Sequence, residues 1–357
     1  MTVVDADAHV DETEETWEHI PKGYERYKPF TVVQAIADEV SGQPKGYNRF
    51  WCIDGTFALR RIRNDERTRT VRETRELIDV GARLRHMDQL GIDSQVCYPT
   101  LFLMTPSEKP EAEYALTHAY NRWMGSKWAE SKNRIRWVAM LPMLSPDKAI
   151  EEMRWARKNG ACGISKKGIE CGDRVASDPY FFPIYKEAED LDLAVCIHVG
   201  NGRVEWMDTN VKHLSPWFFS LSAIDAFLSL TLANIPDKFP KLRFGIIEAM
   251  SSWIPYALSD LRARDERTQW LMPFNMKSNV LEEGNFYVGC QTVEDLPYIM
   301  KHAGDGCLVA GTDYTHADQS AEIETLNIIH NMGEEGYITQ EQARKIREDN
   351  AMKLYGI

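Results

Sequence analysis

The chain has 357 residues, 43% hydrophobic and 27% charged, with a formal net charge of −12. That is ordinary globular chemistry rather than disorder, and so acidic a chain has little with which to neutralise phosphates, which excludes a nucleic-acid partner. Seven cysteines form no CxxC pair, no basic segment precedes an apolar stretch at the N-terminus, and no apolar run approaches membrane-spanning length, so a reduced, cytoplasmic protein without membrane contact is expected.

The first element is "TVVDADAHV" (2–10), where Asp5, Asp7 and His9 alternate with apolar residues. A strand period of two places all three on one face. About sixty residues (10–72) follow before the next apolar run, including "PKGYERYKPF" and "SGQPKGYNRFW". Insertions of this length in a compact domain serve as lids or interfaces. Phe50, Trp51 and Phe57 argue that this one is folded, since a disordered loop would leave them in water, and an interface here suggests a homodimer. Within and just beyond it, "RRIRNDERTRTVRETR" (Arg60–Arg75) mixes both charges and reads as a solvated helix face.

Apolar runs then recur at 92–99, 135–141, 160–166, 193–199, 242–248, 285–290 and 306–313. The segments between them carry helix signals. In "SPDKAIEEMRWARKNG", Ser145 is a candidate N-cap, Pro146 fits the first turn, Ile150 and Met153 repeat at helical spacing, and Gly160 ends the helix. "DPYFFPIYKEAEDLD" and "DLPYIMKHAG" repeat the pattern. Eight strands alternating with helices predict an α/β fold, a (β/α)8 TIM barrel formed by one domain over 1–357, with 10–72 inserted between strands one and two. No GxGxxG follows any strand, which argues against a doubly wound open sheet.

Barrel enzymes build their sites at the C-terminal ends of the strands. The polar residues there are Asp7 and His9 (first strand), His198 (fifth), Glu248 (sixth) and Asp313 (eighth), with His316 three residues on. Singly, each has a structural reading as a satisfied core histidine or a helix cap. Together, that many carboxylates buried without cations would be prohibitive, and metal binding resolves the conflict. Lys166 ends strand four and is expected to be solvated or to face substrate; a carboxylated, metal-bridging lysine is the minority alternative. Further pocket candidates are Tyr98, Arg203, Trp217 and Trp253, with Arg203 suited to an anionic group.

The stretches "RHMDQLGIDSQVCYPT", "AYNRWMGSKWAESKNRIRWVAMLPM", "FPKLRFGIIEAMSSWIPY" and "GTDYTHAD" resemble the amidohydrolase-related branch of the amidohydrolase superfamily, which holds aminocarboxymuconate semialdehyde decarboxylase and the resorcylate-type decarboxylases. The resemblance implies a metal bound by Asp7 (where the family has His), His9, His198 and Asp313. It also implies His after strand six, where this chain has Glu248. With Glu248 and His316, the six-residue set resembles that of the amidohydrolase-fold non-haem dinuclear iron monooxygenases, such as the platensimycin-pathway diterpenoid hydroxylase. The resulting expectation is two Fe ions (alternatives Mn, or a single Zn) and a monooxygenase that hydroxylates an unactivated C–H of an organic acid or acyl thioester. It would require O2, a small-molecule substrate and an electron donor, with no catalytic residues beyond the metal ligands. The alternatives are a mononuclear decarboxylase or C–C/C–N hydrolase on the same barrel, and a non-catalytic partner subunit with a structural metal.

Overall fold

Strand β1 (Val4–Val10) is buried along its whole length, and the rest of the architecture is organised around it. A computed structural model describes residues 2–38, 41, 43–200 and 218–357. After β1 comes a separate three-stranded antiparallel sheet of β2 (Phe30–Ala37), β3 (Pro44–Ile53) and β4 (Thr56–Arg60). The barrel resumes with β5 (Ser94–Pro99), β6 (Ile135–Ala139) and β7 (Ala161–Lys166). A small hairpin of β8 (Ile169–Glu170) and β9 (Arg174–Val175) precedes β10 (Ala194–His198), β11 (Phe244–Ile247), β12 (Phe286–Cys290) and β13 (Leu308–Ala310).

Eight parallel strands run in the order β1-β5-β6-β7-β10-β11-β12-β13. The ends of that order meet through an isolated parallel bridge between Ala8 and Tyr314, where Asp313 N donates to Asp7 O (2.9 Å) and His9 N to Tyr314 O (3.0 Å). The sheet is therefore the closed barrel expected from the alternating pattern. Closure is tight at Gly311: a Cβ there would lie 2.3 Å from Asp7 Cβ and 2.7 Å from its backbone N and O, so only glycine fits.

The helices arise where the sequence signals them. Pro146–Lys158 begins with proline in its first turn, and Leu296–Ala303 is N-capped by Asp295, which accepts from Tyr298 N. Apolar side chains fill two regions. One, between strands and helices, holds Trp17, Trp123, Trp137, Phe181 and Phe227. The other holds Val4, Ala6, Val96, Tyr98, Val138, Cys162 and Cys196 with Leu354 and Tyr355 of the C-terminal helix. The seven cysteines are free thiols, and no helix among the described residues is long and apolar enough to cross a membrane.

Three local expectations are corrected. Asp5, Asp7 and His9 do not form one simple row, because the β1–β5 register shifts between Asp5 and Ala8. Val4 and Ala6 thus belong to one apolar cluster, Ala8 and Val10 to the other, as an irregularity in the pleat requires. In the insertion, Trp51 is buried, but Phe57 on the outer sheet face is 64% exposed. Finally, Arg60–Arg75 is solvated only in part: Arg61, Arg67, Arg69 and Arg72 are exposed, whereas Arg60 and Arg75 at its ends are buried and Arg63 grips Asp11 with both Nε and Nη2.

Candidate metal centre

Asp7, His9, His198, Glu248, Asp313 and His316 come together at the C-terminal mouth of the barrel. Each histidine is oriented from behind. His9 Nδ1 donates to Pro99 O (3.2 Å) and His198 Nδ1 to Val199 O (3.0 Å). Both rings therefore turn an Nε2 lone pair inward, the usual way a carbonyl fixes a ligating tautomer. The two Nε2 atoms are 3.2 Å apart, and Asp7 Oδ1 lies 3.4 Å from each. Four ligands at ~2.1 Å around a tetrahedral ion are separated by roughly 3.4 Å, so these three atoms have the spacing of one face of such a shell.

Glu248 completes a four-residue group with these three; a second group is His9, Asp313 and His316, and a third is Glu248, Asp313, His316 and Asp318. Asp313 Oδ1 lies 3.5 Å from His9 Nε2 and 2.6 Å from His316 Nδ1, and Glu248 Oε2 lies 3.5 Å from His198 Nδ1. Glu248 Oε2, Asp313 Oδ1 and His316 Nδ1 are nevertheless buried without a well-formed hydrogen bond. Buried lone pairs left unsatisfied carry a large free-energy penalty unless a cation takes them up. A metal-binding site of histidine and carboxylate side chains is thus present, and its residues fit an ion.

The backbone is strained at the same place. Glu248 (φ 62°), Met250 (φ 57°), Asp313 (φ 50°) and Thr315 (φ 93°) all take left-handed conformations without being glycine. Such residues persist where the surrounding structure over-determines them, and they concentrate at functional sites.

Electrostatics separate the carboxylates. Burial would raise Asp7, but the His198 and His9 rings outweigh it and hold its carboxyl well below the usual range. Burial, reinforced by Asp313, pushes Glu248 well up; burial and then Asp7 do the same to Asp313. Burial followed by His316 lowers His9 to about 3, and burial followed by Arg63 lowers His316 to about 4. His198 goes the other way: burial would lower it, yet Asp7 and Glu248 raise it to about 9. Without an ion, the centre therefore holds protons where a cation would otherwise balance the charge.

The pocket candidates have different fates. Tyr98 lies beneath the histidines, its ring 4.9 Å from that of His198 and its hydroxyl tied to Tyr355 OH at 2.7 Å. Trp253 donates to Met250 O and packs against Phe227. Lys166 is buried rather than solvated, which corrects that part of its reading: its Nζ is bound by Glu170 Oε1 (2.7 Å) and stacked 3.6 Å from the Phe181 ring, and it lines a separate cavity with Lys167 and Glu170. Arg203 and Trp217 lie outside the described residues.

Several neighbours escaped the sequence reading. Ser320 donates to Glu248 Oε1 (2.6 Å), and its Oγ also contacts Asp313 Oδ2 and Asp318. Arg83 is fully buried, donates to His9 O (3.3 Å), Thr74 O (3.1 Å) and Gln95 Oε1 (2.7 Å), and covers the Tyr314 ring. Gln95 in turn donates to Asp5 Oδ2 (2.8 Å), and Asp5 accepts Thr312 N and Oγ1, which ties β1 to the segment carrying Asp313. Asp318 ends "GTDYTHAD" and Ser320 lies two residues beyond it, the one signal that could have found them; Arg83 looked like any basic residue on a helix.

A closed parallel barrel with this cluster at its mouth defines a metal-dependent barrel enzyme. The family described as Amidohydrolase matches residues 4–357, and the chain belongs to it. It is 23% identical over 252 residues to 2-amino-3-carboxymuconate-6-semialdehyde decarboxylase of Dictyostelium discoideum, covering 66% of each chain. The chain spans about two thirds of the length of the curated relatives it matches. Among solved structures, an amidohydrolase of Mycobacterium avium subsp. paratuberculosis K-10 superposes with a TM-score of 0.78 at 18% identity, covering 100% of this chain and 98% of that one. The 5-carboxyvanillate decarboxylase of Novosphingobium aromaticivorans, complexed with manganese and 4-hydroxy-3-methoxy-5-nitrobenzoic acid, has a TM-score of 0.62 at 19% identity, covering 78% and 81%.

These relatives overturn the oxidative expectation. The curated proteins that match are decarboxylases, and so are structural neighbours, not dinuclear iron monooxygenases. The oxidoreductase and diiron readings are withdrawn. The physical reason the sequence misled is that a count of six candidate ligands says nothing about how many ions they share.

Proposed function

We propose that the chain is a decarboxylase that holds one divalent ion, manganese or zinc, and removes CO2 from an unsaturated or aromatic carboxylic acid. The observation that carries the reading is the 3.2, 3.4 and 3.4 Å triangle of His9 Nε2, His198 Nε2 and Asp7 Oδ1; the decarboxylase relatives support it. Asp7, His9 and His198 would hold the ion with Glu248 beside them. When bound, such an ion supplies positive charge that polarises a substrate oxygen.

Loss of CO2 breaks a C–C bond and leaves the electron pair on carbon, so the chain must deliver a proton there. Asp313 and His316 are the pair suited to this, buried together at the mouth with Asp313 Oδ1 2.6 Å from His316 Nδ1. Arg83 and the Asp5–Gln95 pair fix the β1 backbone from which Asp7 and His9 project.

The test is CO2 release under nitrogen by the Mn2+-loaded chain from a panel of hydroxybenzoates and unsaturated dicarboxylates. Release that needs no O2 and disappears in Asp7→Asn is expected. Absence of CO2 from every acid, or product formation only with O2, would contradict the proposal.

A further inference from the structure

A cavity of about 280 Å³ lies in the seam between the insertion and the barrel, and its lining has an unusual charge. Arg49, Arg60, Arg61, Arg63, Arg72 and Arg75 line it, against Asp11, Glu12, Asp65 and Glu76, and Glu14 binds Arg60 from outside the lining, so arginines exceed these carboxylates by one. Burial raises Glu12 to about 8, which widens the excess near neutral pH. In a chain of net charge −12, this is a local concentration of positive charge, and low-dielectric walls focus its field into the cavity.

The hydrogen bonds inside leave donors over. Arg60 is taken by Glu14 and Thr31, Arg63 by Asp11, and Arg72 by Glu76. Arg75 is 4% exposed and uses Nη1 on Asp65, Thr68 and Thr70, yet its Nε is buried without a hydrogen-bond partner. Asp11 Oδ2 is 3.9 Å from this Nε, beyond hydrogen-bond reach. Arg49 repeats the pattern: Nη2 donates to Arg61 O, and Nε is buried and unpaired. Arg49 and Arg75 thus line one cavity, each with a buried N–H that no protein acceptor takes, and a guanidinium is the side chain best suited to an oxyanion.

We propose that this cavity binds a small oxyanion, a carboxylate or phosphate, held by Arg49 and Arg75. None of the six clustered ligand residues lines it. Its wall includes Thr100, whose Oγ1 lies 3.3 Å from His316 Nε2, so an anion here sits beside the metal centre without occupying it. The inference does not depend on the reaction proposed above.

The experiment is calorimetric titration of the purified full-length chain with inorganic phosphate, with and without Mn2+. Saturable 1:1 binding is expected, weakened about ten-fold or more in Arg49→Gln by loss of a charge-assisted contact. Arg75→Gln is expected to do the same. Because Arg75 also holds the 65–70 segment, the half-buried Arg49 provides the variant that keeps its fold. A second arm compares isophthalate with benzoate. Isophthalate binding that improves with Mn2+ and falls in Arg49→Gln assigns the site to the distal carboxylate of a metal-bound molecule; phosphate binding indifferent to Mn2+ assigns it to a free anion. Either supports the anion site. No saturation at millimolar phosphate, or unchanged binding in Arg49→Gln, overturns it. A chain that binds phosphate but decarboxylates nothing would remove the proposed reaction alone.

Discussion

Glu294 is buried just beyond β12, and its carboxylate organises the loop that carries Glu248. It accepts Ser251 N (2.9 and 3.1 Å), Ser252 N (2.6 Å) and Gln291 N (2.8 Å), together with the hydroxyls of Ser251 (2.8 Å) and Ser252 (2.6 Å). Glu294→Ala strands three backbone donors. At roughly 1.5 kcal/mol for each hydrogen bond to a charged group, and with water reaching the partly exposed Ser252, the net loss is about 4 kcal/mol. Unfolding entropy near 2.1 cal/mol/K per residue gives ~0.75 kcal/mol/K for 357 residues, so the melting temperature should fall by about 5 °C. Scanning calorimetry on metal-free protein measures this, and Mn2+ titration should show weaker binding because Glu248 loses its support. A fall under about 1 °C would mean that this carboxylate does not hold the loop, and the reasoning would fail.

Glu248→Gln should behave oppositely: burial and the neighbouring Asp313 already disfavour its charge, so the metal-free melting temperature is expected to hold or rise while Mn2+ affinity drops at least ten-fold by titration. Metal binding should tighten with pH. His198 in the empty centre keeps its proton up to about pH 9, an entering ion must displace that proton, and affinity is therefore expected to rise about ten-fold per pH unit between pH 6 and 8; a flat profile would contradict the assignment of His198 as a ligand. Arg83→Met removes three hydrogen bonds from a buried cation and should cost about 3 kcal/mol or more in chemical denaturation, with Mn2+ affinity reduced because His9 loses its backbone anchor.

The barrel was legible because its signal is periodic and local. Each of the eight apolar runs became a strand, and Pro146–Lys158 forms where N-cap, proline and glycine signals agree. The convergence of Asp7, His9, His198, Glu248, Asp313 and His316 was also readable, since barrel topology alone brings strand ends to one mouth. What was not legible depends on three-dimensional detail. The register shift in β1 inserts no residue that a pattern would flag. Lys166 is drawn into a buried contact with Glu170 and Phe181. Arg60 and Arg75 look like surface charge until they are buried beside a cavity that they share with Arg49 and Trp51 of β3. Chemistry was the least legible level: the same imidazoles and carboxylates serve oxygenases and decarboxylases, and ligand count alone favoured the wrong one.

Equilibrium dialysis against Mn2+ followed by elemental analysis tests most directly whether the His9–His198–Asp7 triangle encloses a cation. Wild-type protein should retain about one ion per chain, and His9→Ala and Asp7→Asn should retain close to none while keeping the wild-type circular dichroism. A wild-type chain that emerges without metal, or variants that retain as much as it does, would contradict the account.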